Sequence, residues 1–334
     1  MKLPLTEPLS REHMPRDRAI SAAAYFGREA LGSARVINEK RVPDDFGPAQ
    51  AMTGFEPGYR NIVDYIVRIT HRIWEEGEIE YIGQTYAEDS LVFDDTGLQV
   101  GNVVIIDNTK ATIAESPDIQ LSADEIIWAG DAEVGFHTSH RLSIAGTRGG
   151  RAFSVATIAN CVVRDNAIYL EHVLYETAEK MRQTGRDPWV EAHAALEAGV
   201  PGFPRDEQTW EALRGATRNV CERAAGFDAD AFARAHAGDI MQDVDVEGAP
   251  LLAPFSEFSL AVDDVYWMGS DADGYLISVR VSAEPMHAHA GWLREPTGRQ
   301  LQFWGLVQMR VADGALVEAW ALVNEYDLIL QVSR

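Results

Sequence analysis

Alternating polar and apolar positions dominate residues 124–179, and they predict a sheet with one buried and one wetter face. Three strand-like runs lie there, Glu133–Ile144, Ala152–Val163 and Ala167–Glu176. In the first, Phe136, Thr138, His140, Leu142 and Ile144 fall on one face. His137, Ser139, Arg141 and Ser143 fall on the other. The breaks, Gly146-Thr147-Arg148-Gly149-Gly150 and Asp165-Asn166, suit antiparallel hairpins because Gly and Asn accept positive φ. Upstream the period changes. Ile62, Ile66, Ile69 and Ile73 are spaced for a core-facing helix over 59–76, stopped by Gly77. A short helix over 79–87, a strand at 91–93, the loop Asp94-Asp95-Thr96-Gly97 and a helix over 101–115 follow. This order predicts an α+β fold with a curved antiparallel sheet covered by helices.

The pattern then returns. Trp128-Ala-Gly matches Trp267-Met-Gly, and Asp165-Asn166-Ala167-Ile168 matches Asp313-Gly314-Ala315-Leu316. Upstream, Tyr86-Ala87-Glu88-Asp89 matches His236-Ala237-Gly238-Asp239. Anchors in one order at a period of about 150 residues point to a duplicated domain rather than a solenoid. The expected division is an extension (1–54), a first domain (55–185), a linker (186–204) and a second domain (205–334). Within the extension, 19–32 reads as a helix, and the segment either packs across a domain or second subunit or trails as a tail. The linker carries a short helix over 190–198. The second domain opens with a helix over 206–225, whose stripe is Trp210, Leu213, Thr217, Val220 and Ala224, then one over 228–237. The third helix is missing from it, since 244–254 reads VDVEGAPLLAP. A longer hairpin at 284–299 is added.

The chain has 334 residues and a formal net charge of −23, which argues against nucleic acid or an anionic membrane surface as partner. No apolar run approaches the ~20 residues of a membrane span, and the N-terminus lacks a secretory apolar core. Cys161 and Cys221 sit in apolar settings, read as buried free thiols of a reducing cytoplasm.

Several motifs resemble those of the SnoaL-like polyketide cyclase group in the nuclear transport factor 2-like superfamily. They are Glu88-Asp89, Gly130-Asp131, Gly146-Thr147 and Asp313-Gly314-Ala315-Leu316-Val317-Glu318-Ala319-Trp320. The first repeat keeps Asp165-Asn166-Ala167-Ile168 but has Leu170 and His172 in place of Glu318 and Trp320. The resemblance implies two tandem cone-shaped domains, paired sheet to sheet as an intramolecular pseudo-dimer, with homo-oligomers also open. It implies a pocket between helices and concave sheet, and a general acid/base carboxylate near the end of the last strand. This chain has Val173 and Ala321 there, so that carboxylate cannot be carried over.

Strand parity turns Glu171 and Tyr175 toward the same side as Val173. His140 shares an apolar face, so His140 and Glu171 form the candidate proton-transfer pair, burial raising the carboxyl pKa and the neighbouring carboxylate raising that of the imidazole, with Asp94 and Asp95 at the pocket mouth. The bland alternative is a satisfied polar core. Tyr175, Thr138, Phe136 and Tyr86 are the candidate ligand contacts. His137 and His140 have opposite parity, as do Glu171 and His172, which disfavours a metal site. His287 and His289 read as exposed loop decoration, with a pocket cap or metal pair as the alternative. The second domain shows Val307, Ala319 and Ala321 where polar groups would be needed, so the active pocket is expected in the first. The resulting function is cofactor-independent lyase, isomerase or cyclase chemistry on a small, largely apolar molecule. The alternatives are non-catalytic ligand binding or a structural assembly module.

Overall fold

The computed structural model describes residues 9–16, 48–200, 205–215 and 227–334. The expected helix over 19–32, the end of the linker, Thr217, Val220, Ala224 and Cys221 lie outside the described residues.

Helix α1 spans Ile62–Trp74. Asn61 begins it in an extended conformation and accepts from the Asp64 backbone N–H at 2.9 Å, satisfying a helix-start donor. Its isoleucines are buried as their spacing demands. A 3-10 turn at Ile79–Tyr81 leads into α2, Ile82–Thr85, and strand β1 runs Tyr86–Phe93. The short helix is therefore shorter, and the strand longer, than the sequence pattern suggests. β2 (Leu98–Val100) and α3 (Asn102–Glu115) follow. Gly101 starts α3 at φ +86, where a Cβ would lie 2.9 Å from the Glu88 carbonyl.

Strands β3 (Gln120–Asp131), β4 (Gly135–Arg148), β5 (Arg151–Arg164) and β6 (Ala167–Tyr175) form an antiparallel meander. β3 is not among the sequence-predicted runs. Its only exposed residues are Gln120 and Asp131 at its two ends, and near-continuous burial hides the period-two signal. β4 and β5 extend through the Gly-rich break, and the reversal is confined to Gly149-Gly150, both at positive φ. The sheet order is β2-β1-β6-β5-β4-β3. It is not purely antiparallel, because β1 lies parallel to β6.

Helices α4 (Thr177–Gln183) and α5 (Pro188–Ala198) pack on this half. Asp187 caps α5 by accepting from Trp189 N–H at 2.8 Å. The short helix expected over 190–198 within the linker is α5, which starts two residues earlier. α6 (Glu207–Gly215) and α7 (Ala229–Gln242) precede the two-residue strands β7 (Asp245–Val246) and β8 (Ala249–Pro250), where the third helix is indeed missing. A second meander follows, β9 (Ala261–Ser270), β10 (Gly274–Ala283), β11 (Phe303–Ala312) and β12 (Ala315–Val323), in the order β12-β11-β10-β9. The chain then forms α8, Glu325–Ser333.

Two of the three sequence anchors occupy like positions. Gly130 and Gly269 each approach the next strand so closely that a Cβ would meet a carbonyl oxygen, at 2.0 and 2.1 Å. Asp165-Asn166 and Asp313-Gly314 are positive-φ turns before the last strand of each meander. The third anchor does not correspond, since Tyr86–Asp89 is strand and His236–Asp239 is helix.

The two sheets pack face to face. Gln308 donates to the Ser139 carbonyl and hydroxyl at 3.0 and 2.9 Å, and Asn160 donates to the Ser278 hydroxyl at 3.2 Å. The Arg141 guanidinium lies over the Trp320 ring at 3.7 Å. In the extension, Leu9 and Met14 are buried, and Pro15 accepts from the Gly269 N–H at 2.8 Å. Residues 9–16 therefore pack against the body of the protein.

His287 is fully buried, with Nδ1 3.2 Å from the Thr297 hydroxyl, contrary to its reading as loop decoration, whereas His289 is exposed. Burial lowers the pKa of His287. No helix among the described residues is long and apolar enough to cross a membrane.

Candidate functional site

A cavity of about 670 Å³ lies between the first sheet and the helices over it. Strand pairing explains which side chains reach it. Glu171 pairs with Cys161, His140 pairs with Ala159, Ala159 with Val173, and Thr157 with Tyr175. Alternate residues of β4, β5 and β6 thus form cross-strand rows on the cavity side. Residues of opposite parity face the second sheet. His137 packs 5.9 Å from Tyr266, and His172 packs 6.2 Å from Trp304 and 3.0 Å from the Leu213 carbonyl. Opposite the sheet stand Ile66, Ile69 and Ile73 of α1 and Ile105 of α3. Tyr326 and Leu330 of α8 complete the wall, so the carboxyl-terminal helix closes a cavity in the amino-terminal half.

The sequence candidates divide. His140, Glu171, Asp94, Tyr175 and Tyr86 all line the cavity. Thr138 and Phe136 do not. Thr138 is fully covered, and Phe136 packs edge-on against Phe55 and Trp128, at 5.9 and 6.3 Å between ring centres. Both residues have the right parity, but neighbouring side chains cover them.

Glu171 is the most distinctive group. The Tyr86 hydroxyl donates to its Oε2 at 2.8 Å, and the Cys161 thiol is a second neighbour. Burial pushes its carboxyl up to about 7, against the Tyr86 hydrogen bond, which holds it down; nearby Asp94 adds to the rise. The surrounding groups also resist charge. Burial raises the Tyr86 and Tyr175 phenols, and raises the Cys161 thiol, with Glu171 adding to each.

His140 does not behave as the paired imidazole of the sequence reading. It is separated from Glu171 by β5 and by a two-residue register offset, which places the two Cα atoms on the order of 12 Å apart. Burial alone lowers its pKa to about 4, so the ring is neutral near pH 7, and Nε2 has no hydrogen-bond partner. His140 and Glu171 share one hollow without touching.

Asp94 is committed to its own loop. Its Oδ1 accepts from Thr96 N–H, Thr96 O–H and Gly97 N–H at 2.7, 2.6 and 2.8 Å, and Gln99 donates to Oδ2 at 2.7 Å. A carboxylate so occupied shapes a turn and is a poor proton carrier. Adjacent Asp95 is freer, touched by Thr177 N–H at 3.4 Å, and burial plus the Asp94 charge raise its pKa well above the usual range. Cys161 and α8 were not recognised as parts of the site. The signal for α8 was available in Asn324 preceding Leu328, Ile329 and Leu330. Among the described residues no group of three or more His, Cys, Asp or Glu is placed to hold a metal ion.

No protein-family model matches the sequence, and no curated protein matches it. Solved structures similar to part of the chain include IdmH from Streptomyces antibioticus, assigned as a polyketide cyclase, at 18% identity and TM-score 0.32. That alignment covers 36% of this chain and 96% of IdmH. A Bacillus cereus ATCC 10987 protein, also assigned as a polyketide cyclase, aligns at 23% identity and TM-score 0.32, covering 42% and 94% of the respective chains. A Catenulispora acidiphila DSM 44928 protein of ketosteroid isomerase-like fold aligns at 18% identity and TM-score 0.31, covering 34% and 88%.

Proposed function

We propose that the cavity is the active site of a cofactor-independent lyase, isomerase or cyclase, in which Glu171 moves a proton on a small, largely apolar carbon acid. The observation that carries this reading is a buried carboxyl in the cavity wall, poised at about 7 and hydrogen-bonded by Tyr86. Near neutral pH such a group exists in both forms, so it can take a proton and return it. As carboxylate, Glu171 removes a proton from a carbon next to a carbonyl, leaving an enolate. As carboxylic acid, it delivers that proton to another carbon, to a departing hydroxyl, or to the oxygen formed when the enolate closes on a second carbonyl. Tyr86 keeps its own proton and steadies the carboxylate. Neutral His140 offers Nε2 to a polar atom of the ligand. The apolar wall favours a largely apolar molecule and strengthens each of these contacts.

The alternative is a binding protein that performs no chemistry. It draws support from the separation of His140 from Glu171 and from the occupation of Asp94 by its loop. Deuterium exchange at the activated methylene of β-tetralone in heavy water, followed by NMR, separates the two. Exchange catalysed by the wild type and slowed roughly a hundredfold or more in Glu171→Gln supports catalysis. Equal exchange in both proteins removes the role of Glu171.

A further inference from the structure

The interior of the cavity is apolar and buried, but one end is charged and partly exposed. Arg148 of β4, Lys180 of α4 and Arg186 after it converge there with Glu115 of α3 and Glu191 of α5. Two of the cations are already matched. Arg148 pairs with Glu115, and Glu191 clasps Arg186 through two contacts, one of them Nε to Oε1 at 2.9 Å. Lys180 has no carboxylate partner among the described residues. Its ammonium lies 4.5 Å from the centre of the Phe153 ring. Partial burial lowers its pKa, and the charges of Arg148 and Arg186 add to that fall. Glu115 and the buried Asp95 act on it in the opposite sense, without touching it. The mouth of the cavity therefore holds, among the described residues, a lysine that no carboxylate contacts directly, in a chain whose net charge is −23.

We propose that Lys180 receives an anionic group on the ligand, so that the substrate is an elongated apolar molecule with a carboxylate, or an oxyanion of similar charge, at one end. The proposal rests on the reading of the cavity as the ligand site. Glu171 pairs with Cys161, and the cavity face of β5 then continues through Ala159, Thr157 and Val155 to Phe153 beneath Lys180. At the rise of a β-strand, these ends stand about 26 Å apart along β5. A ligand anchored at Lys180 reaches Glu171 only if an extended apolar body lies between its charge and its reactive carbon. The two arginines are held by their own carboxylates, so the attraction for an anion there rests on Lys180.

Two fluorescent dyes provide the test, anilinonaphthalene sulfonate and phenylnaphthylamine, which share their rings and differ by the sulfonate. The wild type is expected to bind the sulfonate roughly tenfold more tightly. Lys180→Gln and Lys180→Met should erase that preference without weakening the neutral dye, and Lys180→Arg should keep it. Thermal melting of each variant checks that the fold is intact. Equal affinity for the two dyes in the wild type, or a preference that survives in both neutral variants, overturns the proposal. Failure of both dyes to bind also overturns it, whereas the role of Glu171 is decided separately by deuterium exchange.

Discussion

The Tyr86 hydroxyl donates to Glu171 Oε2 across 2.8 Å, linking the first residue of β1 to the middle of β6 inside the cavity. Because that bond favours the charged carboxylate, it opposes the burial that pushes Glu171 up to about 7. Tyr86→Phe is therefore expected to move the ionisation of Glu171 further upward. The acidic limb of the exchange-rate profile should shift to higher pH, and an unchanged limb would show that the hydroxyl does not tune the acid.

The displaced ionisation of Glu171 also affects stability. Between pH 4.5 and about 7 the folded chain holds a proton at Glu171 that the unfolded chain has lost, so stability falls as pH rises through this window. The full cost, roughly 3 kcal/mol, is present above pH 7. Glu171→Gln should melt higher than wild type at pH 8, and the gap should close by pH 5. Melting curves across this range provide the check.

His140 acts in the opposite direction. Its folded pKa of about 4 lies below the ordinary 6.5, so the folded state binds fewer protons than the unfolded state as the pH falls through that interval. His137 is lowered to about 4 as well, and His172 is pushed below its ordinary value. Acid unfolding is expected to begin below about pH 6. His140→Gln should move its midpoint to lower pH, the loss avoided being roughly 3 kcal/mol.

Much of the first half was legible in the sequence because each local signal had one dominant cause. The isoleucine stripe of α1, the turn at Asp165-Asn166 and the parity that separates His140 from His137 follow from periods of 3.6 and 2. β3 was not legible, because a strand covered on both faces loses its alternation. Parity also could not tell Phe136 and Thr138 from His140. Whether an inward side chain borders a cavity or is covered depends on neighbours such as Phe55, which lies far away in sequence. The interaction of Asp94 with its own loop was visible in outline, since Asp-Asp-Thr-Gly is turn chemistry.

Arg205 and Asp327 form an ion pair with both side chains fully buried, and Asn324 also donates to Asp327 at 2.6 Å. This fixes α8, which brings Tyr326 and Leu330 to the cavity. Arg205→Ala should leave a buried carboxylate unmatched and cost roughly 3–5 kcal/mol in urea unfolding. It should also loosen α8, read as faster amide exchange over Glu325–Ser333. A fully stable variant would show that the pair is dispensable.

The sheet-to-sheet contact can be tested through Gln308. Gln308→Leu removes the donor to the Ser139 carbonyl and hydroxyl within a buried interface, a loss of about 1–3 kcal/mol. A lower urea midpoint is the expected result, and no change would show that water or a neighbour takes over the bond.

The most direct measurement is the titration of Glu171 itself, by carboxyl infrared difference spectra of wild type against Glu171→Gln in heavy water. A protonated-carboxyl band that disappears with a midpoint near pH 7, and is absent from the variant, is the expected result. A midpoint near the ordinary 4.5 would contradict a carboxyl poised for proton transfer in this cavity.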